Sequence, residues 1–173
     1  ILVKGMHNYE NIMCAILVMK ELNIPNEIIY DELSTFKGVE HRIEFVKEID
    51  GRKFYNDSKA TNTVSTRIAL DSFDSPTILI MGGLDRGHSF DELDSHMEHV
   101  KYVICYGETK DRIKKWCKKE CKVVDNLEEA TKKAFELSDK GDIILLSPAC
   151  ASWDQFNSFE ERGTLYKDVI NKL

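Results

Sequence analysis

Apolar residues first recur at helical spacing. In HNYENIMCAILVMKELN, Ile12, Ala15, Ile16 and Met19 fall three to four apart, which predicts an amphipathic helix ended by Asn23 and Pro25. Asn26 can cap a second, short helix over NEIIYDELSTF, after which KGVEHR reads as a linker. A domain boundary is therefore expected between Leu33 and Glu40, dividing the chain into residues 1–36 and 37–173. From Arg42 the period changes to two. RIEFVKEI and KFYN alternate on either side of Asp50-Gly51, the signature of a tight hairpin.

Beyond the hairpin, helical and apolar stretches take turns. TVSTRIALDSF reads as a helix, TILIMGG as a strand, SFDELDSHM as a helix and KYVICYG as a strand. TKDRIKKWCKKE is then an expected helix, CKVVD a strand, and NLEEATKKAFELSDK a helix stopped by Gly141. DIILLS is the last strand, and a helical stretch is expected from Ser152 to the end. Short, nearly all-apolar strands alternating with helices imply crossover units and a sheet buried on both faces. The expected fold is α/β: a doubly wound, mostly parallel, Rossmann-like sheet with an antiparallel edge hairpin, preceded by terminal helices of another domain.

Composition narrows the function classes. With 24 basic and 30 acidic residues the net charge is −6, which disfavours a nucleic-acid or anionic-membrane surface. No apolar run reaches the roughly 18 residues of a membrane-spanning helix, and ILVKGMHNYEN turns polar too soon for a secretory leader. Ile1 opens mid-pattern without an initiator methionine, so a longer parent is expected. Five cysteines in an acidic chain suggest a reducing, cytoplasmic setting. Cys117 and Cys121, four apart on an expected helix, lack a second Cys or His pair, and His96 and His99 lack acid partners in pattern; no metal site is expected.

Open α/β sheets carry their chemistry beyond the carboxyl ends of the strands. There the chain places NDSKATN (Asn56–Asn62), GGLDRG (Gly82–Gly87) and SPACAS (Ser147–Ser152). The glycines allow a backbone that aims N–H groups at a ligand, and Arg86 offers a fork suited to a carboxylate or phosphate. Lys59 and Thr61 add a cation and a hydroxyl. Each stretch also has a plain reading: Asp57 or Ser58 could cap the next helix, GGLDRG could be an ordinary turn, and SPACAS could be tight packing. Their convergence on one rim favours a site for a small anion. A stand-alone binding module for such an anion is one reading. A nucleotide-dependent oxidoreductase fares worse, because no G-x-G-x-x-G joins a strand to a helix.

The stretches HNYEN, LSTFKGVEHRIEFV, FYNDSKATN, GGLDRG and LLSPACASWDQFNSFEERG, in that order, resemble the Mur ligase family, and within it the D-glutamate-adding (MurD) members. The resemblance runs from Gly5 to the end. Other branches usually carry an Asp-x-Ala-His-x-Pro-like turn where this chain reads NDSKATN. It implies a cytoplasmic bacterial enzyme of peptidoglycan synthesis, with three domains. ATP and Mg²⁺ activate the carboxylate of UDP-N-acetylmuramoyl-L-alanine as an acyl phosphate, and D-glutamate attacks it. By this resemblance His7, Asn8 and Asn11 approach the adenine and ribose, Arg42 and Asp57 reach the nucleotide, and Arg42, Asp57 and Lys59 are the catalytic groups. Thr61, Arg86 and Ser152 hold the D-glutamate carboxylates, with main-chain groups around Trp153 and Phe159. Some members carry lysine where this chain has Arg86. No Gly-x-x-Gly-Lys-Thr loop occurs in the sequence, so residues 1–36 are expected to be only the end of the ATP-binding domain, and the chain alone is expected to be inactive and to hold no cofactor tightly.

Overall fold

The computed structural model describes residue 3 and residues 5–173. Two helices, α1 (Met6–Glu21) and α2 (Asn26–Thr35), lead into the hairpin β1 (Glu44–Ile49) and β2 (Arg52–Asn56). Next come α3 (Thr63–Leu70), β3 (Thr77–Gly82), β4 (Val100–Tyr106), α4 (Lys110–Trp116), β5 (Glu120–Val123), α5 (Leu127–Leu137), β6 (Ile143–Leu146) and α6 (Phe159–Ile170). Asp50 and Gly51 both have positive φ, 50° and 78°, as a two-residue turn matched to strand twist requires.

The six strands form one sheet in the order β1-β2-β6-β3-β4-β5. Every pairing is parallel except β1 with β2, so the expected architecture holds, antiparallel edge included. Alternation along the strands divides the core. In β3, Ile78 and Ile80 face α5 and α6, where they meet Leu127, Ala134, Tyr166 and Ile170; Leu79 and Met81 face the opposite layer with Leu70, Phe73, Leu93 and Ile113. The last strand, β6, lies in the middle, between β2 and β3. That insertion brings the segments after β2, β6 and β3 side by side on one rim.

Several local expectations are corrected. SFDELDSHM forms a 3₁₀ segment, Asp91–His96, in place of an α-helix; Asp91, Asp94 and Ser95 compete with helical hydrogen bonding, while buried Phe90, Leu93 and Met97 pin the segment to the core. α4 stops at Trp116, because Cys121 pairs with Val103 in the parallel ladder and the chain must be extended by then. Cys117 and Cys121 therefore do not share a helix. α5 ends at Leu137 with Ser138 as its C-cap, ahead of Gly141, which instead turns into β6 at φ 98°. The final helix starts only at Phe159, capped by Ser158. Neither Asp57 nor Ser58 caps α3: Asn62 does, accepting from the Ser65 N–H at 2.9 Å. α2 begins at Asn26 itself, with Pro25 before it. No helix is long and apolar enough to cross a membrane among the described residues.

Candidate functional site

The loop after β2 is built on Asp57. Its N–H donates to the Leu146 carbonyl at 2.8 Å, continuing the parallel ladder one residue past the strand. Its carboxylate is buried and accepts from the Ser147 hydroxyl at 2.7 Å and the Ile43 N–H at 3.2 Å. Burial pushes this carboxyl up to about 7, against the lowering effect of those two hydrogen bonds and of the Arg42 and Arg162 charges. Ile43 has φ 47°, an unfavourable conformation for a β-branched residue. The bond that Ile43 donates to Asp57 therefore helps to fix the backbone that carries Arg42. His41, also at positive φ, is seated by the Asn56 side-chain amide, which donates to its Nδ1 at 2.9 Å. A Cβ on Gly163 would lie 2.2 Å from that nitrogen, so only glycine lets α6 pass over His41.

Arg42, Asp57 and Lys59 line one small cavity of about 30 Å³. A much larger cavity, about 940 Å³, opens between α1, α2 and the hairpin. Asn8, Asn11 and Arg42 stand on its wall, with Ile12, Phe36 and Tyr55 among its apolar lining. Arg42 belongs to both cavities, so three side chains assigned by resemblance to the nucleotide share one concave surface. The side chain of His7 lies outside the described residues; its backbone is in the first turn of α1.

The loop after β3 approaches the segment after β6 through an isolated bridge, with the Leu84 N–H donating to the Ala151 carbonyl at 2.9 Å. Gly82 and Gly83 are required there. A Cβ on either would fall within 2.0 Å and 2.2 Å of the Tyr106 and Ala151 carbonyl oxygens. Exposed Arg86 extends from this loop and stacks on the exposed Trp153 ring, 4.9 Å from its centroid. Lys59 lies over the Phe159 ring at 5.5 Å. Ser152 is buried at the turn preceding α6, and Thr61 is half-buried just before α3.

One residue that the sequence patterns do not single out ties these loops together. Arg162, fully buried in α6, donates from Nε to the Ser58 hydroxyl at 2.9 Å, from one terminal nitrogen to the Ser58 carbonyl at 2.7 Å, and from the other to the Cys150 carbonyl at 3.0 Å. The Ser58 hydroxyl in turn donates to the Phe159 carbonyl at 2.7 Å. A signal is present in the chain: Arg162 shares a helical face with Tyr166, Val169 and Ile170, and an arginine on such a face must find acceptors inside. Ser147 likewise reads in the sequence only as a small packing residue.

Among the described residues one acid–histidine cluster has metal-like spacing: Glu40, His41 and Glu44. Lys167 fills it. Its ammonium pairs with Glu40 and, at 3.3 Å, with Glu44, so these groups do not fit a divalent cation.

Residues 41–150 match the family described as Mur ligase, glutamate ligase domain. The whole chain is 50% identical over 177 residues to the UDP-N-acetylmuramoylalanine--D-glutamate ligase of Bacillus subtilis. It is 53% identical over 176 residues to the ligase of the same name from Listeria monocytogenes. The chain spans 39% of the length of each of these relatives. Among solved structures, the UDP-N-acetylmuramate-alanine ligase MurC of Thermotoga maritima superposes with a TM-score of 0.72 over 98% of this chain and 39% of that one. At 18% identity this likeness speaks for the fold alone.

Proposed function

The chain belongs to the Mur ligase family, and on that premise we propose that it is the C-terminal part of an ATP-dependent, ADP-forming ligase that adds D-glutamate to UDP-N-acetylmuramoyl-L-alanine in the bacterial cytoplasm. Residues 1–36 are then the helical end of the ATP-binding domain, and residues 37–173 the domain that delivers the amino acid. The observation that carries this reading is the arrangement of three loops on one rim, with Arg162 clamping those after β2 and β6 and the Leu84–Ala151 bridge adding the one after β3. A carboxylate-rich amino acid suits the hydroxyls of Thr61 and Ser152 and the guanidinium of Arg86, whose fork can take a carboxylate through two N–H groups.

On the nucleotide side, the Asn8 and Asn11 amides and the Arg42 cation share a cavity large enough for a nucleoside, and His7 is assigned there too. ATP, when bound, supplies the phosphoryl group that turns the alanyl carboxylate into a good electrophile. Arg42 and Lys59 offset the charge carried by the phosphates and hold them in line. Asp57 fixes the backbone under Arg42 and lines the small cavity between the two cations. The D-glutamate amine attacks the activated carbonyl carbon, phosphate leaves, and the amine loses a proton to complete the amide. Among the described residues the one acid–histidine cluster is filled by Lys167 and does not fit Mg²⁺, so the ion is assigned to the rest of the parent enzyme. Isolated from that remainder, the chain binds ATP or D-glutamate weakly and turns nothing over, because the site is assembled by domain closure about the segment between Leu33 and Glu40.

The test is steady-state ADP formation by the full-length parent with UDP-N-acetylmuramoyl-L-alanine. Dependence on D-glutamate, with KM raised in Thr61→Ala and Ser152→Ala and KM for ATP unmoved, is expected. ADP formation indifferent to D-glutamate would refute the assignment.

A further inference from the structure

We propose that the Trp153 side chain is a positioning residue that holds the Arg86 guanidinium ready for a carboxylate of the incoming amino acid. The inference rests on the acceptor reading above and deepens it, since that reading uses only main-chain groups near Trp153.

Trp153 has no place in either core. Its side chain is 63% exposed on the rim, where an indole is otherwise a liability, and Arg86 lies over its ring. Arg86 makes no hydrogen bond or ion pair among the described residues, so its N–H groups remain free for a ligand. A stacked guanidinium keeps its plane against the ring and its donors turned outward along the edge. The stack therefore removes conformational freedom from a long side chain before any ligand arrives, and lowers the entropic cost of binding.

The loops that carry the two partners are joined independently of the stack. Glu108, after β4, accepts at its carboxylate from the Asp85 N–H at 3.1 Å and donates its own N–H to the Asp154 carboxylate at 3.2 Å. Asp85 and Asp154 are the chain neighbours of Arg86 and Trp153. Asp85 also accepts from the Gly87 N–H at 2.8 Å, and Arg112 pairs with Asp85 while donating to the His88 carbonyl at 2.8 Å. Glu108 is thus a strut that sets the two backbones side by side, and the stack completes the arrangement.

The experiment is a double-mutant cycle in the full-length parent, reading KM for D-glutamate and for ATP in Trp153→Ala, Arg86→Met and the double variant. Loss of an exposed cation–aromatic contact raises KM for D-glutamate roughly two- to fivefold in Trp153→Ala. Trp153→Phe restores most of it, and KM for ATP does not move. In the Arg86→Met background, Trp153→Ala produces no further rise. An unchanged KM in Trp153→Ala, or an equal rise with and without Arg86, overturns the inference while leaving the acceptor reading intact. If the enzyme saturates with another acidic amino acid, the D-glutamate reading fails and the same cycle, run with that acid, still decides the role of Trp153. If no acidic amino acid saturates it, both are overturned.

Discussion

Arg162 donates to the Ser58 carbonyl at 2.7 Å from the opposite end of the domain sequence, 104 residues away. The same guanidinium reaches the Ser58 hydroxyl and the Cys150 carbonyl, so one buried cation is shared by two rim loops. Replacing it with methionine leaves these acceptors buried without a donor. Arg162→Met is expected to lower stability by about 3–5 kcal/mol in urea unfolding, since bonds to a charged donor and stranded polar groups both contribute. Arg162→Lys should recover part of this. An unfolding midpoint that does not shift would contradict the clamp.

Asp57 gives a pH signature. Its carboxyl titrates at about 7 in the folded protein because it is buried, against an ordinary 3.8. Between those values the folded protein holds a proton that the unfolded chain has released. Stability therefore falls as pH rises through this window, by up to about 1.4 kcal/mol per unit, and the contribution levels off above it. Asp57→Asn removes that slope. Urea midpoints measured from acid to mildly alkaline pH should diverge between the two proteins; parallel profiles would show that burial does not raise this group.

Asn62, rather than the acid five residues before it, caps α3. Asn62→Ala is expected to cost about 1 kcal/mol, and Asn62→Asp close to nothing, by thermal unfolding. An equal loss in both would mean that the side-chain acceptor is not what stabilises this helix start.

The glycines of the rim are not equivalent. A Cβ on Gly82 would stand 2.0 Å from the Tyr106 carbonyl oxygen, whereas one on Gly87 meets nothing within 4 Å. Gly82→Ala should prevent stable folding, because backbone must move. Gly87→Ala should cost only about 1–2 kcal/mol from its positive φ. Comparable expression and melting of the two variants would contradict this ranking.

The architecture is legible in the sequence because the buried strands are nearly continuous apolar runs and the hairpin carries Asp50-Gly51. Helix ends are less legible. α4 is cut short by a strand pairing, Cys121 with Val103, that local sequence does not announce. The rim loops can be located from the residues just past the carboxyl end of each strand. The position of β6 between β2 and β3, which makes those loops neighbours, is set by long-range pairing. Arg162 is inconspicuous because a charged residue in a helix is ordinarily a solvated one. Only its acceptors, distant in sequence, explain its burial.

The order of the sheet also bears on how the protein is made. β2 has only β1 and β6 as neighbours, and β3 has only β4 and β6. Until the strand at Ile143–Leu146 emerges from the ribosome, the nascent chain holds a hairpin and a three-stranded unit with unsatisfied edges facing one another. The final segment then inserts between them, and it brings Ser147, Ser152 and Arg162 with it. A product truncated by thirty-odd residues would lack its central strand as well as the rim loop that follows it. Such a chain would present two open edges to proteases and to other chains, so that incomplete synthesis yields material fit for clearance.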